Sequence, residues 1–138
     1  KNKLQKLARN NIKFLDYQNK DNLKKYFESC RAFVYAGIED FGIAPVESMA
    51  AGSPVIAYKK AGLIDTVRCI TEDNNGTGIL FREQSVNCLI DTINWFEEKN
   101  IWANIEPNNL KEWSEKYSLE NFNKNFKKYL YECCDNFF

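Results

Sequence analysis

The sequence predicts an α/β domain in which a parallel sheet is flanked by helices, and three observations carry that reading. Runs rich in Ile, Val, Phe and Tyr recur about twenty residues apart, at 12–15, 32–35, 55–58 and 78–81. The segments between them repeat their apolar residues with the helical period. Strands that alternate with helices are joined by crossovers, which makes neighbouring strands parallel.

Each element has its own signal. In residues 1–10, Leu4, Leu7 and Ala8 fall at helical spacing with no capping residue before them, so the sequence begins inside an element and reads as a fragment. After the first β-type run, Asn19 is placed to cap a helix whose Leu23, Tyr26, Phe27 and Cys30 form a stripe expected to face the sheet. After the second run a loop leads to Pro45 at the first helical position, then a helix of small residues through Met49 and Ala51, closed by Gly52. Ser85 caps the helix that follows the fourth run, with Val86, Leu89, Ile90, Ile93 and Phe96 on its apolar side. From Asn100 the pattern changes to Asn, Trp and Pro, and a last helix begins near Ser118 with Phe122, Phe126, Tyr129, Leu130 and Cys133 on one side. Residues 1–98 thus read as the α/β unit, and 99–138 as a helical extension of the same domain.

Composition limits what the domain can do. With 138 residues, 44% of them hydrophobic, it can bury one ordinary core. Nineteen basic residues balance nineteen acidic ones, so the field that nucleic-acid binding needs is absent, and any polyanion it binds should be small. The five cysteines are odd in number, show no CxxC spacing and share the chain with no histidine, which argues against a metal site and against a disulfide framework. Cys30 and Cys88 fall on apolar helical positions, as small buried residues do in a reducing cytoplasm. Lack of histidine also removes Ser/His and Cys/His catalysis. No apolar run approaches the ~20 residues of a membrane span, and the first residues lack a signal-peptide core. A cytoplasmic protein is expected. The last helix, with Lys124, Lys127 and Lys128 opposite its aromatic side, fits either a solvated outer face or peripheral contact with the inner face of a membrane.

The loop at 36–42 and the helix behind it carry the chemistry, because ligands of open parallel sheets bind beyond the carboxyl ends of the strands. Gly42 lets a backbone approach closely, and the amides of Phe41, Gly42 and Ile43 are placed to meet an anion such as a diphosphate. Glu47 can accept hydrogen bonds from ribose hydroxyls. Alternatively, with Pro45 first and Ala44 as cap, it sits third in the helix, where an acid is favoured anyway. Glu39, beside Asp40, reads on its own as a solvated loop acid.

The run from Glu39 through Phe41, Gly42, Ile43, Ala44, Pro45, Val46, Glu47 and Ser48 to Gly52, Ser53, Pro54 and Ala57 resembles the signature of family four glycosyltransferases of the GT-B fold. The similarity extends from about Lys1 to Glu98. It implies the C-terminal, Rossmann-like donor domain of a GT-B enzyme, N-terminally incomplete, that transfers a sugar from a nucleoside diphosphate donor with retention and without a metal. Of the matching residues, Glu39 would contact the donor sugar at the reaction centre and Glu47 would hold the ribose. The backbone of Phe41, Gly42 and Ile43 would meet sugar and phosphate, and Leu15 and Tyr17 would flank the base. The loop variant is most similar to bacterial polysaccharide mannosyltransferases, which implies GDP-mannose as donor and a growing surface glycan or its lipid-linked precursor as acceptor. Two departures stand out: the family usually has two glycines where this chain has Ala61 and Gly62, and nothing here corresponds to its early strands or to its Arg and Lys that grip the diphosphate. The N-terminal acceptor domain has no counterpart either.

Three other readings compete. A noncatalytic nucleotide-binding module or remnant would lack those cations. A glycoside hydrolase would need its two carboxyl groups ~5 to 10 Å apart across a sugar, which the α/β pattern with Glu47 at a helix start does not suggest. A dehydrogenase would show GxGxxG after an early strand, and none occurs.

Overall fold

A computed structural model describes residues 2–135. Helix α1 spans Asn2–Leu7 and α2 Lys20–Ser29, followed by strand β1, Phe33–Tyr35. Then come α3 (Ile43–Ala50), β2 (Val55–Tyr58), α4 (Leu63–Thr66), β3 (Gly78–Phe81) and α5 (Val86–Glu98). Two short helices, α6 (Ile101–Asn104) and α7 (Pro107–Glu115), precede the long α8, Leu119–Asp135.

The strands form one parallel sheet in the order β1-β2-β3, with Phe33 opposite Val55 and Val55 opposite Gly78. Both faces are covered, which is why β2 and β3 read as unbroken apolar runs. On one face Val55, Ala57 and Leu80 pack with Met49 of α3, Leu63 of α4 and Leu110 of α7. On the other, Ile56, Ile79 and Phe81 receive Phe96, with Leu89 and Ile93 of α5 beside it. The odd–even alternation along β2 and β3 therefore assigns each side chain to its layer.

Three of the expected strands form, and the α/β class of the sequence reading is the class found. The run at 12–15 does not become a strand: Ile12, Phe14 and Leu15 are exposed in an irregular segment. Strand propensity needs a neighbour to take up the backbone N–H and C=O groups, and no described strand lies on the outer edge of β1. The caps on Asn19 and Ser85 form, since Asn19 Oδ1 accepts from the Asn22 amide at 2.9 Å and Ser85 Oγ from that of Cys88 at 3.2 Å. The chain leaves α3 at Gly52, as expected, with its N–H bonded to the Met49 carbonyl. Expected apolar stripes are narrower in the structure: only Phe27 of the α2 stripe is buried, and Val86 and Ile90 of α5 lie in solvent. Cys30 and Cys88 are half-buried rather than buried, and both are free thiols. Along α8, Phe122, Phe126, Tyr129 and Leu130 are all exposed. Of the expected N-terminal helix, Lys1 lies outside the described residues.

Candidate active site

The loop between β1 and α3 runs over the carboxyl ends of the strands. Gly42 is the N-cap of α3, at φ 88°, and Ile43 is its first helical residue. Pro45 is therefore third rather than first, and the cap is Gly42 rather than Ala44. Glycine adopts this left-handed turn without steric cost, so the helix starts two residues before the position that proline suggested. A Cβ on Gly42 would also stand 2.7 Å from Leu63 Cδ2. Glu47 becomes the fifth helical residue, beyond the first turn where an acid stabilises the helix end, so the helix dipole does not account for it. The amides of Ile43 and Ala44 belong to the first turn, which has no intrahelical acceptors.

Glu39, Phe41, Gly42, Ile43 and Glu47 line a single cleft of about 440 Å³ together with Tyr35. At its wall Tyr35 Oη donates to Glu39 Oε1 at 2.5 Å, which fixes one carboxylate oxygen and leaves the other for a ligand. That hydrogen bond, with some burial and the charge of Glu39, holds the Tyr35 phenol above its ordinary pKa of 10.0. None of the described residues lining the cleft is a lysine or arginine; Glu39, Asp40 and Glu47 make it acidic.

The loop is braced from two sides. Behind it, the Gly62 amide donates to the Glu39 carbonyl at 2.9 Å, and the backbones approach so closely that a Cβ on Gly62 would lie 2.1 Å from the Asp40 oxygen. Ala61, just before it, has φ 51°. In front, Phe41 meets Tyr117 edge to face with centroids 5.5 Å apart, and Tyr117 Oη donates to the Asp65 carbonyl at 2.8 Å. Burial, with the charge of Asp65, holds the Tyr117 phenol above its ordinary value.

The other two expected site residues lie elsewhere. Leu15 lines a separate apolar groove with Leu23, Phe27 and Val34, and Tyr17 is 93% exposed. Tyr35 and Tyr117 were missed in the sequence; the first had a signal, since a strand-end tyrosine four residues before Glu39 can reach back to it.

Known proteins match this chain in sequence and in fold. The sequence profile of the family described as glycosyl transferases group 1 covers residues 1–121. The chain belongs to this family. As a group 1 glycosyltransferase it is 31% identical over 123 residues to an uncharacterized glycosyltransferase of Methanocaldococcus jannaschii, a match that takes 85% of this chain and 29% of that protein. Among solved structures it is similar to the sucrose-phosphate synthase of Thermosynechococcus elongatus, with TM-score 0.73, 25% identity and coverage of 90% of this chain and 30% of the other. The Anabaena HepE protein, solved in complex with UDP-glucose, superposes with TM-score 0.76 over 95% of this chain and 36% of its own at 21% identity, a likeness of fold. This glycosyltransferase chain thus spans about a third or less of these relatives' lengths. Position 61 carries alanine at φ 51°, a left-handed backbone conformation that favours glycine.

Proposed function

We propose that this chain is the donor-binding part of a family four, GT-B enzyme that transfers a hexose from a nucleoside diphosphate sugar, with retention at the anomeric carbon, to a glycan or lipid-linked acceptor. One observation carries the reading: Glu39 and Glu47 open into the same cleft, on either side of the first amides of α3. A nucleotide sugar laid along that cleft meets a carboxylate at its sugar, a helix N-terminus at its diphosphate and a second carboxylate at its ribose.

In this assignment Tyr35 keeps Glu39 turned toward the sugar, where it orients the ring and stabilises positive charge at the anomeric carbon, while the amides of Gly42 and Ile43 take up charge on the departing diphosphate. Because the cleft's own walls are acidic, further cations for the diphosphate come from the remainder of the enzyme, which also carries the acceptor site. GDP-mannose, the donor implied by the loop's resemblance, is one nucleotide sugar of this class.

The test is sugar transfer. The 138-residue chain, incubated with nucleotide sugars and a lipid-linked acceptor, should extend no product, and an enzyme that includes an acceptor domain should. In that enzyme Glu39→Gln should lower turnover at least about a hundredfold while changing donor affinity by less than about threefold, because its contact strengthens in the transition state. Equal losses in binding and turnover would assign Glu39 to ground-state binding and end its catalytic role. The noncatalytic reading would be favoured instead if the longer enzyme bound donor and transferred nothing.

A further inference from the structure

Glu47 lines two spaces, and it is the one residue that they share. Besides the cleft over α3's first turn, a second groove of about 330 Å³ runs between α2 and α3, floored by Phe27 and Ala50 and rimmed by Lys20, Asp21 and Lys24. If Glu47 holds the ribose, as in the function proposed above, the diphosphate and sugar extend to one side of it and the base to the other. The base then enters the α2–α3 groove.

We infer that this groove selects uracil, and that Lys20, Asp21 and Lys24 read it. Its rim presents two ammonium donors and one carboxylate acceptor from positions 20, 24 and 21 of a single helix. The polar edge of uracil offers the complementary set, two carbonyl acceptors flanking one N–H donor. Lys20 and Lys24 are one turn apart, about 5–6 Å between Cβ atoms, within reach of two carbonyl oxygens of one ring, and Asp21 next to them accepts from the ring N–H. Cytosine reverses two of the three positions. Guanine offers one acceptor and two adjacent donors, which leaves one lysine facing a donor. Lys24 is free to turn toward a base, since its contact with Glu28 is a 3.7 Å pair between exposed side chains. Leu15 lines the neighbouring groove, which meets this one at Leu23 and Phe27, so a base held here has the segment carrying Leu15 and Tyr17 on its far side.

The experiment is a nuclear magnetic resonance titration of the 138-residue chain with UDP, CDP, GDP and dTDP, which registers millimolar binding as amide shifts. UDP should shift residues of both spaces and bind at least about tenfold more tightly than CDP or GDP, with dTDP between them because it lacks one ribose hydroxyl for Glu47. Asp21→Asn should weaken UDP about tenfold and bring UDP and CDP within about threefold of each other. Lys24→Gln, which leaves the first turn of α2 intact, should weaken UDP more than CDP and guards against a folding effect of the first variant. Glu47→Ala should weaken UDP, CDP and GDP alike, and dTDP, which offers Glu47 one hydroxyl fewer, by less. Equal affinities for UDP and CDP, a preference for GDP, or an Asp21→Asn chain that still discriminates would overturn the base reading and leave the donor cleft standing. Shifts from none of the four nucleotides would overturn both.

Discussion

Residues 61 and 62 should respond to alanine–glycine exchange with opposite signs. Gly62→Ala places a methyl 2.1 Å from the Asp40 oxygen, 2.5 Å from its carbon and 2.6 Å from Phe41 Cα, all backbone atoms that cannot rotate aside. Relief requires the loop to retreat by about 1 Å, and forcing groups into a packed site costs about 1–3 kcal/mol. Retreat also lengthens the 2.9 Å bond from the Gly62 amide to the Glu39 carbonyl. For a domain of this size the melting temperature should fall by roughly 4–12 °C. Ala61→Gly works the other way: alanine at φ 51° carries about 1–2 kcal/mol of left-handed strain, offset by about 0.4–1 kcal/mol of added freedom in the unfolded chain. The net should be a gain of roughly 0–1.6 kcal/mol, centred on about 0.8 kcal/mol. Thermal denaturation by circular dichroism measures both, and amide shifts of residues 39–42 report whether the loop moved. A Gly62→Ala chain that melts like the parent with unmoved shifts would refute the claim that this glycine sets the position of the site loop.

The other predictions are briefer. Glu47→Ala should weaken donor binding by about 1.5–3 kcal/mol in calorimetry on the acceptor-domain enzyme, with melting unchanged, since it is exposed on α3; an unchanged dissociation constant would remove it from the ribose. Gly42→Val should lower the melting temperature as well as activity, because valine must adopt φ 88° beside Leu63; full stability in the variant would mean that the cap geometry is not needed. Tyr35 binds its proton more tightly when folded, so its hydrogen bond stabilises the fold below about pH 10 and is lost as pH rises through the raised pKa. In a spectrophotometric titration Tyr35→Phe should remove a phenol that ionises above the ordinary range, and loss of an ordinary one instead would show that the bond to Glu39 is not kept in solution.

How far the sequence could be read depended on where each signal lies. Local signals held: Asn19 and Ser85 cap because a side chain bonds an amide three residues away, and Val55–Tyr58 and Gly78–Phe81 are strands because both of their faces are buried. Signals that need a distant partner did not. Residues 12–15 have the composition of a strand but pair with none of the described strands. Helix α7 was not read in the sequence: Pro107 stands at its first position and Leu110, Trp113 and Ser114 recur at helical spacing, but polar surroundings hid the pattern. Glu39 and Glu47 were singled out by the loop's resemblance to the family signature, since taken alone each also reads as an ordinary acid. The tyrosine that orients one stands only four residues before it and was missed all the same, while the groove that adjoins the other appears only once α2 is set beside α3.

Phe41 leans on Tyr117, and Tyr117 on the backbone of Asp65. A loop held in this way has given up its freedom before any donor arrives. Binding then needs little ordering of Phe41, Gly42 and Ile43, so the entropy lost on association falls mainly on the ligand. Cutting the strut by Tyr117→Ala would leave every contact atom of the cleft in the chain while returning that freedom to the loop. The donor would then have to organise its own binding surface, and its association would become more exothermic and less favourable in entropy at the same time.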